Sequence, residues 1–518
     1  MRKFRLVASL LCLLASTAIA QDVRARVQGL VTDSSQAVIV GADVVLTNEG
    51  TNVTATTKTN NNGQYLFDFV IAGNYSITVE MQGFRKFVQK NILVQSRGDI
   101  TVDARLDVGS ASEAVTVESA PVSVQFNTST MGITLDKKMT NELPVINRNP
   151  FLLAQLNPAA VLRSTTEQSP YHHWAATQID VGGNTTTKND VVVDGAPNMA
   201  SEKSAYTPAM DAVQEVNIQQ NAVDSEFGHS AGGVITVQMK SGTNEFHGTG
   251  YYLGRNPKIN AVADHITRRA NLTRNHIFGG TLGSPVIKNK VFNFVSYEAW
   301  RSQDPRSVAF TLPTDAERTG DFSKSINARG GLRAIYNPFT TVLNANGTAT
   351  RQPYAGNIIP ASQQDPVGRR VMNDIWKPNL TGDGSDGVNN YRTGFAERVE
   401  YWNFSDRADW NVSDKLKIFG RYSMFKTYVA QDNYAGTRAV QPNGSERHAW
   451  TTVGDLVYTL NANTVFNIRG GWNRIFDSFA VGESQISGAQ LTEILGSDWH
   501  TPYSSNDPAL YYPGFTVR

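Results

Sequence analysis

Residues 464–476 contain the run Phe466-Asn467-Ile468-Arg469-Gly470-Gly471-Trp472-Asn473, in which apolar and polar side chains alternate. Successive side chains of a β-strand point to opposite faces, so Phe466, Ile468 and Trp472 share one face. The polar residues Asn467, Arg469 and Asn473 share the other. This is the last of seven stretches of the same kind. The other six are 245–255, 275–284, 290–301, 400–411, 415–427 and 448–460.

The connections between these stretches alternate between short and long. The short ones are 284–289, Val412-Ser413-Asp414 and Asn461-Ala462-Asn463, and the long ones are 256–274, 302–399 and 428–447. Short turns at one end and long loops at the other are typical of an outer-membrane β-barrel, whose apolar face contacts lipid. A soluble antiparallel sheet also alternates, but it does not require this asymmetry. We therefore predict that residues 245–518 are the N-terminal part of a transmembrane β-barrel.

Aromatic residues near the predicted strand ends agree with this prediction, because such rings favour the membrane interface. They are Tyr251, Tyr252, Trp300, Tyr401, Trp402, Trp410 and Trp450. Single-chain bacterial barrels close with an even number of strands, about 22 in plugged transporters. Seven strands would leave an open edge, which the bilayer core does not tolerate. We therefore expect the sequence to be the N-terminal portion of a longer barrel.

Composition and the first residues limit the compartment and the partners. The chain has 47 Lys and Arg against 46 Asp and Glu, so no basic excess points to nucleic acid. A basic start, an apolar run over residues 6–14 and Ala18-Ile19-Ala20 predict that residues 1–20 are a cleaved signal peptide. The only cysteine is Cys12, where Leu11 disfavours a lipoprotein site. The mature chain is then predicted to lack disulfides.

Residues 21–108 are predicted to form a small β-sandwich, because short strand-like runs are separated by turns such as Asn60-Asn61-Asn62-Gly63. Four stretches resemble the carboxypeptidase regulatory-like domain: Gly29-Leu30-Val31-Thr32-Asp33, 59–67, Gly73-Asn74-Tyr75 and Gly83-Phe84. The resemblance implies a transthyretin-like sandwich, related to carbohydrate-binding folds, that acts as an accessory module and not as a peptidase. No histidine begins an H-x-x-E zinc pair, and no metal or other cofactor is predicted.

Residues 109–120 are a small, polar linker. Within it, Glu113-Ala114-Val115-Thr116-Val117 resembles the TonB box, the segment by which an outer-membrane receptor pairs with a TonB-type energy-transducing protein. Strand addition suits such a sequence, because main-chain hydrogen bonds need little side-chain specificity. The alternative is that these residues are an ordinary first strand of the next domain.

Residues 121–244 mix helical or turn-like stretches at 135–143 and 150–156 with strand-like stretches at 178–183, 190–195 and 234–239. Several motifs resemble the α+β plug domain of TonB-dependent receptors, specifically the Oar-like group. They are Asp194-Gly195-Ala196-Pro197-Asn198, Val213-Gln214-Glu215-Val216, Glu226-Phe227-Gly228, Gly232-Gly233-Val234-Ile235 and the junction 241–248.

Two motifs suggest chemistry that we do not expect. Gly228-His229-Ser230-Ala231-Gly232 matches the G-x-S-x-G nucleophile elbow, which requires a following helix, whereas 234–239 is β-branched and strand-like. His172-His173 suggests a metal pair, but adjacent residues of a strand point to opposite faces, and we expect solvated loop histidines. No catalytic residue is predicted, and the protein is not expected to be an enzyme.

The resemblance implies energy-coupled uptake, across the outer membrane, of a ligand too large for passive diffusion. The ligand class remains open between a siderophore, a glycan and a peptide. Aromatic residues of the long outer loop are the candidate ligand contacts: Tyr336, Tyr354, Trp376 and Tyr391. Sandwich and plug are expected on the periplasmic side. The alternative is a non-transporting surface or adhesion protein that uses a carbohydrate-binding-like sandwich.

Overall fold

The computed structural model describes most of the chain. The described residues are 24–109, 114–117, 131–145, 147–163, 168–174, 176–183, 187–220, 230, 232–262, 272–440, 444–461, 464–478 and 486–496. The predicted signal peptide with Cys12, the first residue of the predicted TonB box and part of the motif around Ser230 lie outside them. No helix in the described part of the chain has both the length and the hydropathy to cross a membrane.

The first unit is the predicted β-sandwich. Its strands are β1 (Ala25–Asp33), β2 (Asp43–Asn48), β3 (Thr54–Lys58), β4 (Gln64–Val70), β5 (Gly73–Glu80), β6 (Lys86–Val94), β7 (Asp99–Thr101), β8 (Ala104–Leu106) and β9 (Ala114–Val117). One sheet has the order β4-β1-β7, with β8 also paired to β1, and the other has the order β3-β2-β5-β6-β9. Alternate side chains such as Val27, Val44 and Ile77 are fully buried between the sheets, as the period of two predicts.

Local turn chemistry explains one tight connection of the sandwich. The side-chain oxygen of Asn60 accepts hydrogen bonds from the backbone N–H groups of Asn62 and Gln64. Gly63 has a φ of 73°, a left-handed conformation that glycine adopts without steric cost. The run of Asn and Gly therefore reverses the chain between β3 and β4.

The second unit is the predicted α+β plug. Its elements are β10 (Met131–Leu135), α1 (Lys137–Glu142), a 3-10 helix (Pro150–Leu156), β11 (Ala160–Leu162), β12 (Ile179–Val181), β13 (Asp190–Val193), β14 (Ala196–Pro197), β15 (Met199–Ala200), β16 (Lys203–Ser204), a 3-10 turn (Met210–Ala212), β17 (Val213–Gln220) and β18 (Gly233–Met239). The main sheet has the order β10-β17-β18-β13-β14. Only β13 and β18 are parallel within it.

The third unit is the wall, a sheet of seven antiparallel strands. They are β19 (His247–Arg255), β20 (Arg274–Ile287), β21 (Val291–Phe310), β24 (Tyr391–Asn411), β25 (Leu416–Gln431), β26 (Ser445–Asn461) and β27 (Thr464–Ser478). Every strand pairs with the next one along the chain. This confirms the seven predicted strands and the mainly β fold class.

The long outer loop is shorter than predicted. β21 and β24 stay paired out to Phe310 and Tyr391, so the loop runs from 311 to 390 and not from 302 to 399. The sequence analysis missed these strand ends because they carry charged residues, which are also typical of loops. Arg306 and Glu397, for example, form an ion pair across the two strands at 2.8 Å. Beyond β21 the chain forms α2 (Asp315–Arg318), β22 (Val342–Leu343), β23 (Ala349–Thr350) and α3 (Pro366–Asp374), with 3-10 turns at Pro338–Thr340, Ala355–Asn357 and Ala361–Gln363, and α4 (Gly488–Leu495) follows β27.

Three of the predicted interface aromatics point inward. Trp300 and Tyr401 are buried against the plug, with ring centroids 6.0 and 5.8 Å from that of Tyr171. The hydroxyl of Tyr251 donates to the inner-face carboxylate of Glu298. The prediction was wrong for these residues because position along a strand does not decide which face a ring occupies. On the outer face, Trp472 and Phe466 are exposed, as predicted.

The plug and the wall share one hydrophobic core. Plug residues such as Phe151 and Ile218 pack in the same cluster as Phe294 and Phe425 of the wall. The core of the sandwich is a separate cluster that contains sandwich residues only.

Candidate functional site

The most deeply buried charged contact joins the plug to the wall at Asp194. This residue lies in the turn between β13 and β14, and its side chain is fully buried. Its Oδ1 accepts hydrogen bonds from the backbone N–H of Met239 at 2.9 Å and from Arg407 Nη1 at 3.0 Å. Its Oδ2 lies 3.2 Å from Arg421 Nη1, an ionic contact without hydrogen-bond geometry. A carboxylate of the plug thus lies between two arginines of the wall.

These two arginines are direct cross-strand neighbours. Arg407 on β24 pairs in register with Arg421 on β25, and both side chains are 2% exposed. Like charges directly opposite each other destabilise a sheet unless an anion lies between them. Asp409 contacts Arg407 at 2.8 Å, but Asp194 is the only carboxylate in ion-pair distance of Arg421 among the described residues. Removing the plug would therefore leave Arg421 without this carboxylate and opposite a second arginine.

A second buried carboxylate, Glu298 of β21, holds another part of the plug. Its Oε2 accepts from Arg148 Nε and from the hydroxyl of Tyr251, both at 2.7 Å. Its Oε1 accepts from the indole N–H of Trp300 at 3.0 Å. Arg148 also pairs with Asp211 of the plug. This site has the opposite polarity to the first, since here the wall supplies the anion and the plug the cation.

A third contact lies at β27, the last strand of the wall. Lys203 of the plug and Arg447 of the wall pair with the two carboxylate oxygens of Asp477 at 2.8 and 3.0 Å. Buried His173 lies beside them, with its ring nitrogens 3.3 and 3.5 Å from the carbonyl oxygens of Ser204 and Phe476. The prediction that both histidines are solvated was wrong for His173. Burial also lowers the pKa of the adjacent His172 to about 4.

The polar inner face of β27 contacts the plug as the alternation predicted. Arg469 donates to the carbonyl oxygen of Gly195 at 3.2 Å, and Asn473 donates to that of Pro197 at 2.8 Å. Gly195 has a φ of 77°, and a Cβ at this position would lie 1.9 Å from Arg469 Nη1. The left-handed conformation of the plug turn therefore favours glycine at this position, and a side chain there would also displace the end of Arg469.

The residues of the predicted TonB box lie on the sandwich. β9 (Ala114–Val117) pairs in parallel with β6, with Lys86 opposite Ala114 and Gln89 opposite Val117. It is the edge strand of its sheet, whereas the plug sheet begins at β10. The alternative that these residues start the next domain is therefore wrong. Glu113 lies outside the described residues.

The loop aromatics fall into two groups. The rings of Trp376 and Tyr391 are 5.8 Å apart, and Tyr391 belongs to β24 and not to the loop. Trp376 also contacts Phe310 and Tyr434, each at 5.7 Å. Sequence analysis missed these two residues, although Phe310 is the register partner of Tyr391.

The other two loop aromatics lie elsewhere in the loop. Tyr336 forms an isolated bridge with Pro353 and is largely exposed. Tyr354 precedes the 3-10 turn at Ala355–Asn357. The loop therefore has an aromatic cluster that packs on itself and a separate exposed ring that is available to a ligand.

Ser230 does not have the surroundings of a nucleophile. Its hydroxyl donates to the carbonyl oxygen of Gly233 at 2.8 Å, and the element that follows is strand β18 and not a helix. Within the described ranges, no group of three or more His, Cys, Asp or Glu is arranged to hold a metal ion.

Arg407, Arg421 and Glu298 are among the interface residues that sequence analysis missed. The tight turn after Asn411 sets the register of β24 and β25, with Asn411 opposite Lys417. That register alone places Arg407 opposite Arg421 on the inner face. Two facing arginines in a lumen are a signal for a missing anion, and this signal was available in the sequence.

Comparison with known proteins gives two family matches. Residues 238–518 match the outer membrane beta barrel domain, and residues 26–107 match the carboxypeptidase regulatory-like domain. The TonB-dependent transporter Oar of Myxococcus xanthus is 28% identical over 351 residues, which are 60% of this chain and 32% of that protein. The chain thus spans about a third of the length of this relative.

Two solved structures are similar at low identity. The outer membrane transporter YddB from Escherichia coli is 12% identical, with a TM-score of 0.41 over 67% of this chain and 39% of that chain. The siderophore receptor PirA from Acinetobacter baumannii is also 12% identical, with a TM-score of 0.32 over 69% of this chain and 50% of that chain. The sequence relative is named as a transporter, which agrees with the prediction that the chain is not an enzyme.

Proposed function

The chain belongs to the outer membrane beta barrel domain family, and on this premise we propose that it is part of a TonB-dependent receptor. The receptor takes up a ligand that is too large for passive diffusion, and a TonB-type partner supplies the energy. The observation that carries the proposal is the buried plug carboxylate of Asp194 between Arg407 and Arg421 of the wall. Because the plug supplies the anion between the two facing arginines, this arrangement favours a lumen that the plug normally closes.

Uptake through such a lumen requires work on the plug. Removing one partner of a buried ion pair costs about 3–5 kcal/mol, because the other charge stays buried without compensation. The plug makes two such contacts, at Asp194 and Glu298, and a third, partly exposed one at Asp477. Thermal motion alone would rarely break them together. An external source of energy therefore fits the site better than passive exchange does.

We assign the partner contact to Ala114-Val115-Thr116-Val117, with Glu113 before them, and the ligand contact to the outer loop. β9 is an edge strand, so an extended partner segment can add to it by main-chain hydrogen bonds. Of the predicted ligand aromatics, Tyr336 is the one most exposed to solvent and is the proposed ligand contact, with Tyr354 in the same part of the loop, whereas Trp376 and Tyr391 support the loop from within the aromatic cluster. In this orientation the short turns, the sandwich and the plug face the periplasm, and a signal peptide directs export.

Two variants of the receptor that contains this chain test the proposal. In the first, Ala114-Val115-Thr116-Val117 is replaced by Gly and Ser at constant length. In the second, the same replacement is made at Thr54-Ala55-Thr56-Thr57 of β3, the opposite edge strand of the same sheet, as a matched control. Cells are given labelled ferric enterobactin, maltoheptaose or a tryptic peptide mixture, and binding and uptake are measured separately. We expect the first variant to bind its probe normally and to lose energy-dependent uptake.

The result also separates transport from adhesion. A non-transporting surface protein would bind its ligand equally well with and without the residues of β9, and no probe would enter the cell in an energy-dependent way. That outcome would refute the proposed function and favour a sugar-binding role for the sandwich. Purified receptor should also require detergent and show heat-modifiable mobility on gels, as a lipid-embedded barrel does.

A further inference from the structure

The sandwich is docked against the plug and the wall through a few polar contacts. The backbone N–H of Ser96 donates to Glu215 Oε1 of the plug at 2.7 Å, and both residues are buried. Asn244, at the junction of plug and wall, donates to the carbonyl oxygens of Gly50 and Thr51 at 3.0 and 2.7 Å. The contacts of Gly50 and Thr51 come from the turn between β2 and β3, and that of Ser96 comes from the loop between β6 and β7, so two loops of the sandwich fix its orientation.

A fourth contact reaches the wall itself. Arg24 Nη1, at the start of the sandwich, lies 2.9 Å from Asp455 Oδ2 on the inner face of β26, and both side chains are almost fully buried. Asp455 also accepts from Arg469 and Asn467. The sandwich therefore contacts the wall at the end where the tight turns lie, near Asn461.

These contacts lie around a cavity and not around a packed interface. A cavity of about 1670 Å³ separates the sandwich from the wall, with Tyr65 and Phe67 on one side and Lys417 and Phe419 on the other. The sandwich has its own hydrophobic core, and the plug shares its core with the wall. Units joined by polar contacts without a common core move relative to each other more readily than units with one.

We propose that the sandwich is a second closure of the transport path, a lid at the short-turn end that must separate from Glu215, Asn244 and Asp455 before a ligand leaves. The proposal rests on the transport function above. β9 connects the proposed partner site to the lid, because this strand is hydrogen-bonded to β6 of the sandwich and not to the plug. A partner that pulls on β9 pulls first on the lid.

An engineered disulfide tests whether the lid must open. A Cβ built on Gly50 lies 3.9 Å from Thr243 Cβ, within the range of about 3.5–4.5 Å found in disulfides. Gly50 does not have a positive φ, so it tolerates a side chain. Cys12 is the only cysteine of this sequence and lies in the predicted signal peptide, and any cysteine in the rest of the receptor is first replaced by serine. The double variant Gly50→Cys/Thr243→Cys should therefore form one defined bond between the sandwich and the junction.

Uptake of the three labelled probes is measured with the disulfide intact and after reduction. The expected result is that the oxidised double variant binds its probe like the unmodified receptor but takes it up at least about tenfold more slowly, with recovery on reduction. Each single variant, Gly50→Cys or Thr243→Cys, should behave normally under both conditions. Normal uptake by a receptor whose disulfide is verified by gel mobility would overturn the proposal.

If no probe enters even the unmodified receptor, the proposed function is refuted. A second measurement still tests whether the sandwich separates as a lid. Ser96→Cys places a thiol in the docked interface, and its reaction with N-ethylmaleimide, which is small enough to reach the periplasm, reports separation. In energised cells we expect labelling that an uncoupler suppresses. Equal labelling in energised and uncoupled cells would show that the sandwich is not an energy-driven lid.

Discussion

Asp194→Asn should release the plug more than any other single conservative change at the interface. The substitution keeps the shape of the side chain and an oxygen for the N–H of Met239, but it removes the charge shared by Arg407 and Arg421. Arg407 keeps Asp409 at 2.8 Å. Arg421 loses the only carboxylate within ion-pair distance in the described part of the chain, and it remains buried opposite a second arginine.

The size of the effect follows from the burial of both partners. Removing one partner of a buried ion pair while the other stays buried costs about 3–5 kcal/mol. Since 1.4 kcal/mol corresponds to a factor of ten, the ratio of seated to released plug should fall by about a hundredfold to a few thousandfold. The double variant Asp194→Asn/Arg421→Met removes the unpaired cation as well, and it should recover a large part of this loss.

Limited proteolysis of the receptor in detergent measures plug release, with cleavage within 121–244 as the signal. Asp409→Asn is the matched control, because it removes a carboxylate from the same Arg407 but leaves the plug contacts intact. We expect fast cleavage for Asp194→Asn, slow cleavage for the double variant and near-normal cleavage for Asp409→Asn. The reasoning would be refuted if Asp194→Asn were cleaved no faster than Asp409→Asn, or if Arg421→Met made the Asp194→Asn protein less stable still.

Three further predictions concern other contacts. Burial raises the pKa of Glu215 in the docked state, so its contribution to docking is complete below its ordinary pKa of about 4.5 and is lost as pH rises through the raised value. Calorimetry from acid to neutral pH should show this loss in the sandwich transition, and Glu215→Gln should flatten it. Glu298→Gln should destabilise the plug by about 1–3 kcal/mol, less than Asp194→Asn, since Arg148 keeps Asp211; proteolysis that ranks the two variants the other way would contradict this. Trp376→Ala should expose the outer loop to protease, whereas Tyr336→Ala should weaken probe binding and leave the loop intact; a Tyr336→Ala receptor with full affinity would remove this ring from the ligand site.

Local sequence patterns were sufficient for the wall. A period of two and a tight turn each depend on neighbouring residues, which is why all seven strands were predicted in order. Their outer ends were not, because Arg306 and Glu397 look like loop residues until their pairing is known. The inward direction of Trp300 and Tyr401 was missed for a related reason. A ring near a strand end suits both a lipid interface and a plug, and only the three-dimensional arrangement distinguishes them.

The plug contacts could be predicted only in part, because the interacting residues are far apart in the sequence. Asp194 and Arg407 are 213 positions apart, and no local pattern links them. The wall side of this contact could still be predicted from the sequence, because the tight turn after Asn411 sets a register that places Arg407 opposite Arg421. Facing arginines on an inner surface require an anion, even when its source is unknown. The partner was already marked by family resemblance, in Asp194-Gly195-Ala196-Pro197-Asn198.

The two closures differ in what holds them, and this difference sets the order in which they open. The plug shares a core with the wall. It also has buried ion pairs, and removing one partner of such a pair costs about 3–5 kcal/mol. Among the described residues, the sandwich is held by the hydrogen bonds at Ser96, Gly50 and Thr51, each worth about 1 kcal/mol net, and by the buried ion pair of Arg24 and Asp455, without a shared core. A force applied at β9 meets the weaker attachment first, because β9 is a strand of the sandwich. The lid should therefore separate while the plug is still seated, and in energised cells maleimide labelling of Ser96→Cys should precede cleavage of the plug.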